Sequence, residues 1–160
     1  MTELNLPPFD ISLRRSADGT IYVFDSLRRT EVVLTPEEWV RQHFVNFLTT
    51  MRGFPRELMA NEVGIRLNGA TRRCDTIVYD RHLHPLAIVE YKAPSIAVSQ
   101  KVFDQIARYN IVLNAPFLIV SNGMRHYCCR FDFGSRTYAF LRDIPFYADI
   151  AGANNNNSLN

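Results

Sequence analysis

The chain has 160 residues, 47% hydrophobic and 21% charged, with a net charge of +2 at pH 7. That describes one globular domain with a real core, too weakly basic for charge alone to indicate nucleic acid. Cys74, Cys128 and Cys129 are odd in number and form no C-x-x-C pair, so neither a disulfide framework nor a zinc site is suggested and a reducing, cytoplasmic setting is expected. No basic-then-apolar leader, apolar run of membrane length or G-x-x-x-x-G-K-[ST] loop occurs, so neither a membrane nor a nucleotide-driven motor is expected in this chain.

Residues 1–34 read as a β-rich extension. Phe9, Ile11 and Leu13 alternate, Asp18-Gly19 is a hairpin turn signal, and Ile21 to Phe24 reads as the return strand. Nothing there reads as catalytic. Thr35-Pro36-Glu37-Glu38 then predicts a helix start, with Thr35 as cap, Pro36 in the first turn and Glu38 completing a capping box. Trp39, Val40, His43, Phe44, Phe47, Leu48 and Met51 recur at helical spacing until Gly53 and Pro55. The spacing makes this helix a cover for a sheet and His43 a packed histidine.

Glu62 to Leu67 alternates as a strand and Asn68-Gly69 turns it. Glu62 is either a third acid of a metal site or a solvated residue at a strand start. A second strand follows from Arg73 to Tyr79, entered through Arg72. The third, Leu86 to Tyr91, is the centre of the chain: an apolar run that nonetheless carries Glu90 and Lys92 at its end, on one face. Buried charge is costly unless it is paired. A two-residue turn at His82 and Leu83 would set Asp75 opposite Glu90, with Cβ atoms about 5 Å apart. Two carboxylates so placed repel, and a divalent cation such as Mg²⁺, with Mn²⁺ as substitute, removes the conflict. Lys92 beside them can stabilise negative charge developing on a phosphate.

A helix is expected between Ser95 and Asn114, with Val98, Val102, Ile106 and Tyr109 on one face and Gln105 one turn from Tyr109. Phe117 to Val120 is a buried strand ended by Ser121-Asn122-Gly123. Two more strands lie around 126–133 and 136–141. The predicted organisation is an extension over 1–34, a main domain over 35–147 and a disordered Asn-rich tail over 148–160. The core order is helix, three strands, helix, strand, the last helix being a crossover between parallel strands.

That order, with Asp75, Glu90-Tyr91-Lys92 and Gln105, resembles the PD-(D/E)xK nuclease superfamily. More closely, the chain is similar to the N-terminal nuclease domain of type I restriction enzyme R subunits. The blocks that carry the likeness are Leu34 to Gln42, Arg73-Cys74-Asp75, Glu90 to Pro94, Gln105 to Asn110 and Ser121-Asn122-Gly123. One E-x-K is common; five blocks in order, over roughly 30–147, are specific. Cys74 stands where the pattern has a proline, and the acid sometimes contributed by the first helix is not clearly placed, Glu62 and Glu38 being its candidates.

The resemblance implies an α+β fold with a restriction-endonuclease-like core, a mixed sheet flanked by helices in αβββαβ order, to which the N-terminal β-hairpin read from residues 1–34 is added. It also implies Mg²⁺-dependent hydrolysis of DNA, with restriction-modification subunits as possible partners. Asp75 and Glu90 would hold the metal, Lys92 would act on water or the transition state, and Gln105, supported by Tyr109, would orient Lys92 or touch the phosphate. Arg72, Arg73, Lys101 and Arg108 are candidates for neighbouring phosphates. The competing readings are a binding module on the same fold, holding DNA or protein with little catalysis, and a metal-free ion cluster.

Overall fold

The computed structural model describes residues 1–154. Three strands, β1 (Leu13–Arg15), β2 (Ile21–Asp25) and β3 (Thr30–Val33), form a small antiparallel sheet. The main body is α1 (Pro36–Met51), a 3-10 turn at Arg56–Leu58, β4 (Met59–Leu67), β5 (Ala70–Tyr79), β6 (Pro85–Tyr91), α2 (Gln100–Leu113), β7 (Phe117–Ser121), β8 (His126–Asp132) and β9 (Thr137–Phe140). A short α3 (Tyr147–Ile150) follows. The second sheet runs β4-β5-β6-β7-β8-β9, antiparallel throughout except for the parallel β6–β7 pair that α2 connects. The expected α+β class, with its central mixed sheet between helices, is what the chain adopts. The extension, expected as a hairpin, has a third strand, because Thr30–Val33 pairs back onto β2.

Each helix covers one side of the sheet. Val40, Phe44 and Leu48 of α1 pack with Val89 and Tyr91, while Val102, Ile106 and Tyr109 of α2 pack with Ile88 and Leu118. Neighbouring residues of β6 thus feed opposite cores, as alternation along a strand requires. β7 is buried along its length, which suits a central strand covered on both faces.

Thr35 caps α1 as expected, its Oγ1 accepting from the Glu38 amide at 3.1 Å. The other half of the capping box is not formed: the Glu38 carboxylate faces inward and accepts from Arg28 Nη2 and Gln42 Nε2, both at 2.8 Å. His43 is packed, edge-on to Trp39 and Phe9. Ser99 stands at the cap position of α2 without a side-chain capping bond. Ser121-Asn122-Gly123 turns β7 into β8, with Asn122 Oδ1 accepting from the Met124 and Arg125 amides. Gly123 takes φ +82°, and a Cβ there would lie 2.7 Å from Leu4, so the turn also seats the N-terminus.

The β5–β6 turn differs from expectation. Asp80 and His84 close a three-residue loop: the Asp80 amide donates to the His84 carbonyl at 2.9 Å and the Leu83 amide to Asp80 at 3.0 Å. Tyr79 then pairs with Pro85 but Val78 with Ala87, so Leu86 is an extra residue. This bulge cancels the longer loop and restores the register, with Thr76 opposite Val89. Disorder expected from Ala148 does not hold for 148–154: Ile150 and Ala153 join the core, and Asn154 Nδ2 donates to Asp80 Oδ2 at 2.8 Å. The remainder of that expected tail, 155–160, lies outside the described residues.

Exposed Leu83 holds φ +62°, a left-handed conformation that disfavours side chains with a Cβ by about 1–2 kcal/mol. Leu83→Gly should therefore stabilise the domain by about 0.5–1 kcal/mol in urea unfolding, once glycine's greater unfolded-state entropy is subtracted. A loss of stability would mean that the Leu83 side chain contributes packing.

Candidate active site

The β5–β6 ladder ends at Thr76↔Val89. Asp75 and Glu90 are the next residues, where the two strands part. Asp75 Oδ2 accepts from the Tyr91 amide at 2.8 Å. A side chain thus takes a β6 amide just past the end of the ladder, and the acid is tied to the strand bearing the second acid. On the β7 side β6 stays paired, with the Lys92 amide donating to the Ser121 carbonyl at 2.9 Å. The fork therefore has one fixed arm.

Glu90 is buried, and Lys92 Nζ lies 3.3 Å from its Oε1. Gln105 Nε2 approaches the same oxygen at 3.5 Å and donates to the Tyr109 hydroxyl at 3.0 Å. Gln105 is thus set against Glu90 rather than Lys92. Glu90 Oε2 is buried with no hydrogen-bond partner among the described residues, an arrangement that native structures seldom tolerate without a reason. Burial, and then the neighbouring Asp75, push the Glu90 carboxyl up to about 7 against the pull of Lys92. Burial also raises Asp75, opposed by the Tyr91 amide and Arg41.

Sequence reasoning missed Arg41. It reaches from α1 into the site, with Nη2 2.6 Å from Glu62 Oε1 and 3.6 Å from Asp75 Oδ1. Burial opposes its charge, but Glu38, Glu62 and Asp75 outweigh that and raise its pKa. Arg41 stands among other polar residues of α1, Glu38, Gln42 and His43, so nothing in the local sequence marked it out. Glu62 stands across from Asp75 on β4 with φ +56°, between the Asn61↔Thr76 and Val63↔Cys74 pairs. A left-handed non-glycine residue within a strand is strained, and such strain concentrates at functional sites.

The structure brings together Asp75, Glu90, Lys92, Gln105 and Tyr109, with Glu62 alongside but engaged by Arg41. Among the described residues no group of three or more His, Cys, Asp or Glu is disposed to hold a metal. The donors on offer are two carboxylates, Asp75 and Glu90, the second with one unpaired oxygen. That set fits Mg²⁺, which keeps several waters and is commonly bound through one or two carboxylates. Arg72, Arg73, Lys101 and Arg108 are exposed; Arg73 Nη1 lies 3.8 Å from Glu62, and Lys101 and Arg108 flank Gln105 along α2 by helical spacing. A cavity of about 1030 Å³ is lined by residues such as His84, Arg130 and Asn154 and includes none of the site residues. Among the described residues no helix is long and apolar enough to cross a membrane.

Comparison with known proteins adds the family. A search of curated proteins found no match. Among solved structures, the chain is similar to a fragment of a candidate HsdR subunit of a type I restriction enzyme from Vibrio vulnificus YJ016. The TM-score is 0.54 at 20% identity, covering 73% of this chain and 24% of that one. At that identity the likeness concerns the fold, and this chain spans about a quarter of the neighbour's length. The sequence family described as type I restriction enzyme R protein N terminus matches residues 36–145, from the first turn of α1 to just before α3 and across the whole Asp75–Glu90 fork, so the chain belongs to that family.

Proposed function

We propose that this domain is a divalent-cation-dependent DNA endonuclease of the PD-(D/E)xK kind. The observation that carries the reading is the fork itself: a buried and a half-buried carboxylate on diverging strands, the buried one with an unpaired oxygen, beside a lysine. Asp75 and Glu90 are the residues that would hold Mg²⁺ or Mn²⁺. Such a cation would supply a hydroxide nucleophile at neutral pH and positive charge opposite a phosphoryl oxygen.

The protein groups supply the rest. Lys92 places its ammonium beside Glu90, where it can offset negative charge developing on the phosphate. Gln105, braced by Tyr109, orients the Glu90 carboxylate. Arg72, Arg73, Lys101 and Arg108 meet flanking phosphates, whose contacts position DNA without reading sequence. Other restriction-modification subunits are the expected protein partners. The metal-free ion cluster also has support: both Asp75 oxygens already face protein donors, Tyr91 N and Arg41. Variants and pH separate the two.

Nicking of supercoiled plasmid with Mn²⁺ tests the roles. Lys92→Ala should lower the rate on the order of 100- to 1000-fold while leaving fold and cation binding intact. Glu90→Ala should lose both cation and cleavage, and Gln105→Ala should fall between. All three should still shift DNA in a gel in a salt-dependent way. If Lys92→Ala nicks as fast as the parent, the nuclease reading fails and the binding module takes its place.

The raised carboxyl of Glu90 also sets a pH dependence. Its pKa is about 7 in the folded chain against an ordinary value of 4.5. Between those values the folded state holds a proton that the unfolded state has released, so this residue's contribution to stability falls as pH rises. Melting temperature without metal should decline over that window, and Glu90→Gln should flatten the decline. Mg²⁺ should raise the melting temperature more at pH 8 than at pH 5. Equal response at both pH values would favour the ion cluster.

A further inference from the structure

Asp25 lies at the end of β2, ahead of the family-matched segment, and its side chain is fully buried. Its Oδ1 shapes the following turn by accepting from the Leu27 and Arg28 amides at 2.8 and 2.9 Å. Its Oδ2 accepts from Arg28 Nε at 2.5 Å and from Asn61 Nδ2 at 2.9 Å. Each of these donors begins a route inward.

Along the first route, Arg28 Nη2 donates to Glu38 Oε1 at 2.8 Å, and Arg41 Nε lies 3.8 Å from that oxygen. Arg41 Nη2 then stands 3.6 Å from Asp75 Oδ1. Along the second, Thr76 Oγ1 donates to Asn61 Oδ1 at 2.6 Å and meets the Tyr91 hydroxyl at 3.0 Å. The Tyr91 amide donates to Asp75 Oδ2 at 2.8 Å. Both routes leave one oxygen of Asp25 and arrive at the two oxygens of Asp75.

We propose that Asp25 is a positioning residue for the site: through Arg28–Glu38–Arg41 and Asn61–Thr76–Tyr91 it fixes where the Asp75 carboxylate sits. The end of β2, through Asp25, is on this account part of the catalytic scaffold. The inference rests on the nuclease reading for its consequence, but the relay of ion pairs and hydrogen bonds can be measured without it.

Asp25→Asn separates the roles. The amide oxygen can still accept the turn amides, while its NH₂ would face the Arg28 and Asn61 donors and break both routes at their origin. Three readouts apply: hydrogen exchange at the Tyr91 amide relative to Val89, Mn²⁺ affinity by calorimetry, and kcat against KM for plasmid nicking. We expect Tyr91 protection to fall, Mn²⁺ binding to weaken about tenfold, as is usual when a partner behind a metal ligand is lost, and kcat to drop with KM for DNA unchanged. Thr76→Val, which cuts the second route alone, should move the same readouts less. Val23→Ala, buried in the same sheet but off both routes, is the comparison at equal distance below its melting temperature and should move none of them. Unchanged Tyr91 exchange in both Asp25→Asn and Thr76→Val, or equal losses in Val23→Ala, would overturn the proposal. A parent protein that binds no Mn²⁺ and nicks no DNA would instead defeat the nuclease reading, with Tyr91 exchange still deciding the relay.

Discussion

Two carboxylates held near one another in a buried fork repel, and the surroundings of Asp75 and Glu90 are arranged around that repulsion. Each acid is given its own neutralising partner from a different direction. Arg41 comes from α1 on one side of the sheet to Asp75, and Lys92 follows Glu90 along its own strand. The compensation is incomplete: Glu90 keeps a bare, buried oxygen, and its carboxyl is pushed up to about 7 by burial and by Asp75. A domain selected only for stability would have little use for such a group, since removing the charge or pairing it fully would be easier.

The fold makes the fork possible. β6 is pinned by the parallel pairing to β7 and buried under a helix on each face, so its end can carry charge without fraying. β5 is tied to β6 as far as Thr76 and to β4 on its other edge, and Asp75 bridges the gap with its side chain. A long, straight ladder would have left both acids on a flat face. Parting strands turn them toward a common space, with α2 presenting Gln105 and Tyr109 at its border.

Much of this was legible in the sequence because it depends on local patterns. An apolar strand ending in Glu-x-Lys, an acid on the preceding strand and a Gln-x-x-x-Tyr turn of helix are short-range features with clear periodicity. The register came out right through two offsetting departures: the β5–β6 loop is one residue longer than a tight hairpin, and the Leu86 bulge absorbs the difference. What could not be read is what long side chains do across the fold. In the sequence Arg41 has no role of its own, Glu38 reads as half of a capping box or a candidate acid, and Asp25 falls just past the expected return strand. Their partners are distant in sequence, as with Asn61 on Asp25 and Glu62 on Arg41, and no periodicity encodes such pairings. The packing of 148–154 was hidden for a similar reason: the Asn run that starts at Asn154 dominates the reading of the Ala-rich stretch before it, and composition says nothing about whether Asn154 meets Asp80.

The central claim is that Asp75 and Glu90 share one divalent cation. Electron paramagnetic resonance of Mn²⁺ titrated into the protein at pH 8 tests it most directly, since free and bound Mn²⁺ give distinct signals and the count is absolute. The account predicts one bound ion per chain for the parent and none at this site for the Asp75→Asn/Glu90→Gln double variant. Equal binding by the two proteins, or none by the parent at millimolar Mn²⁺, would contradict it.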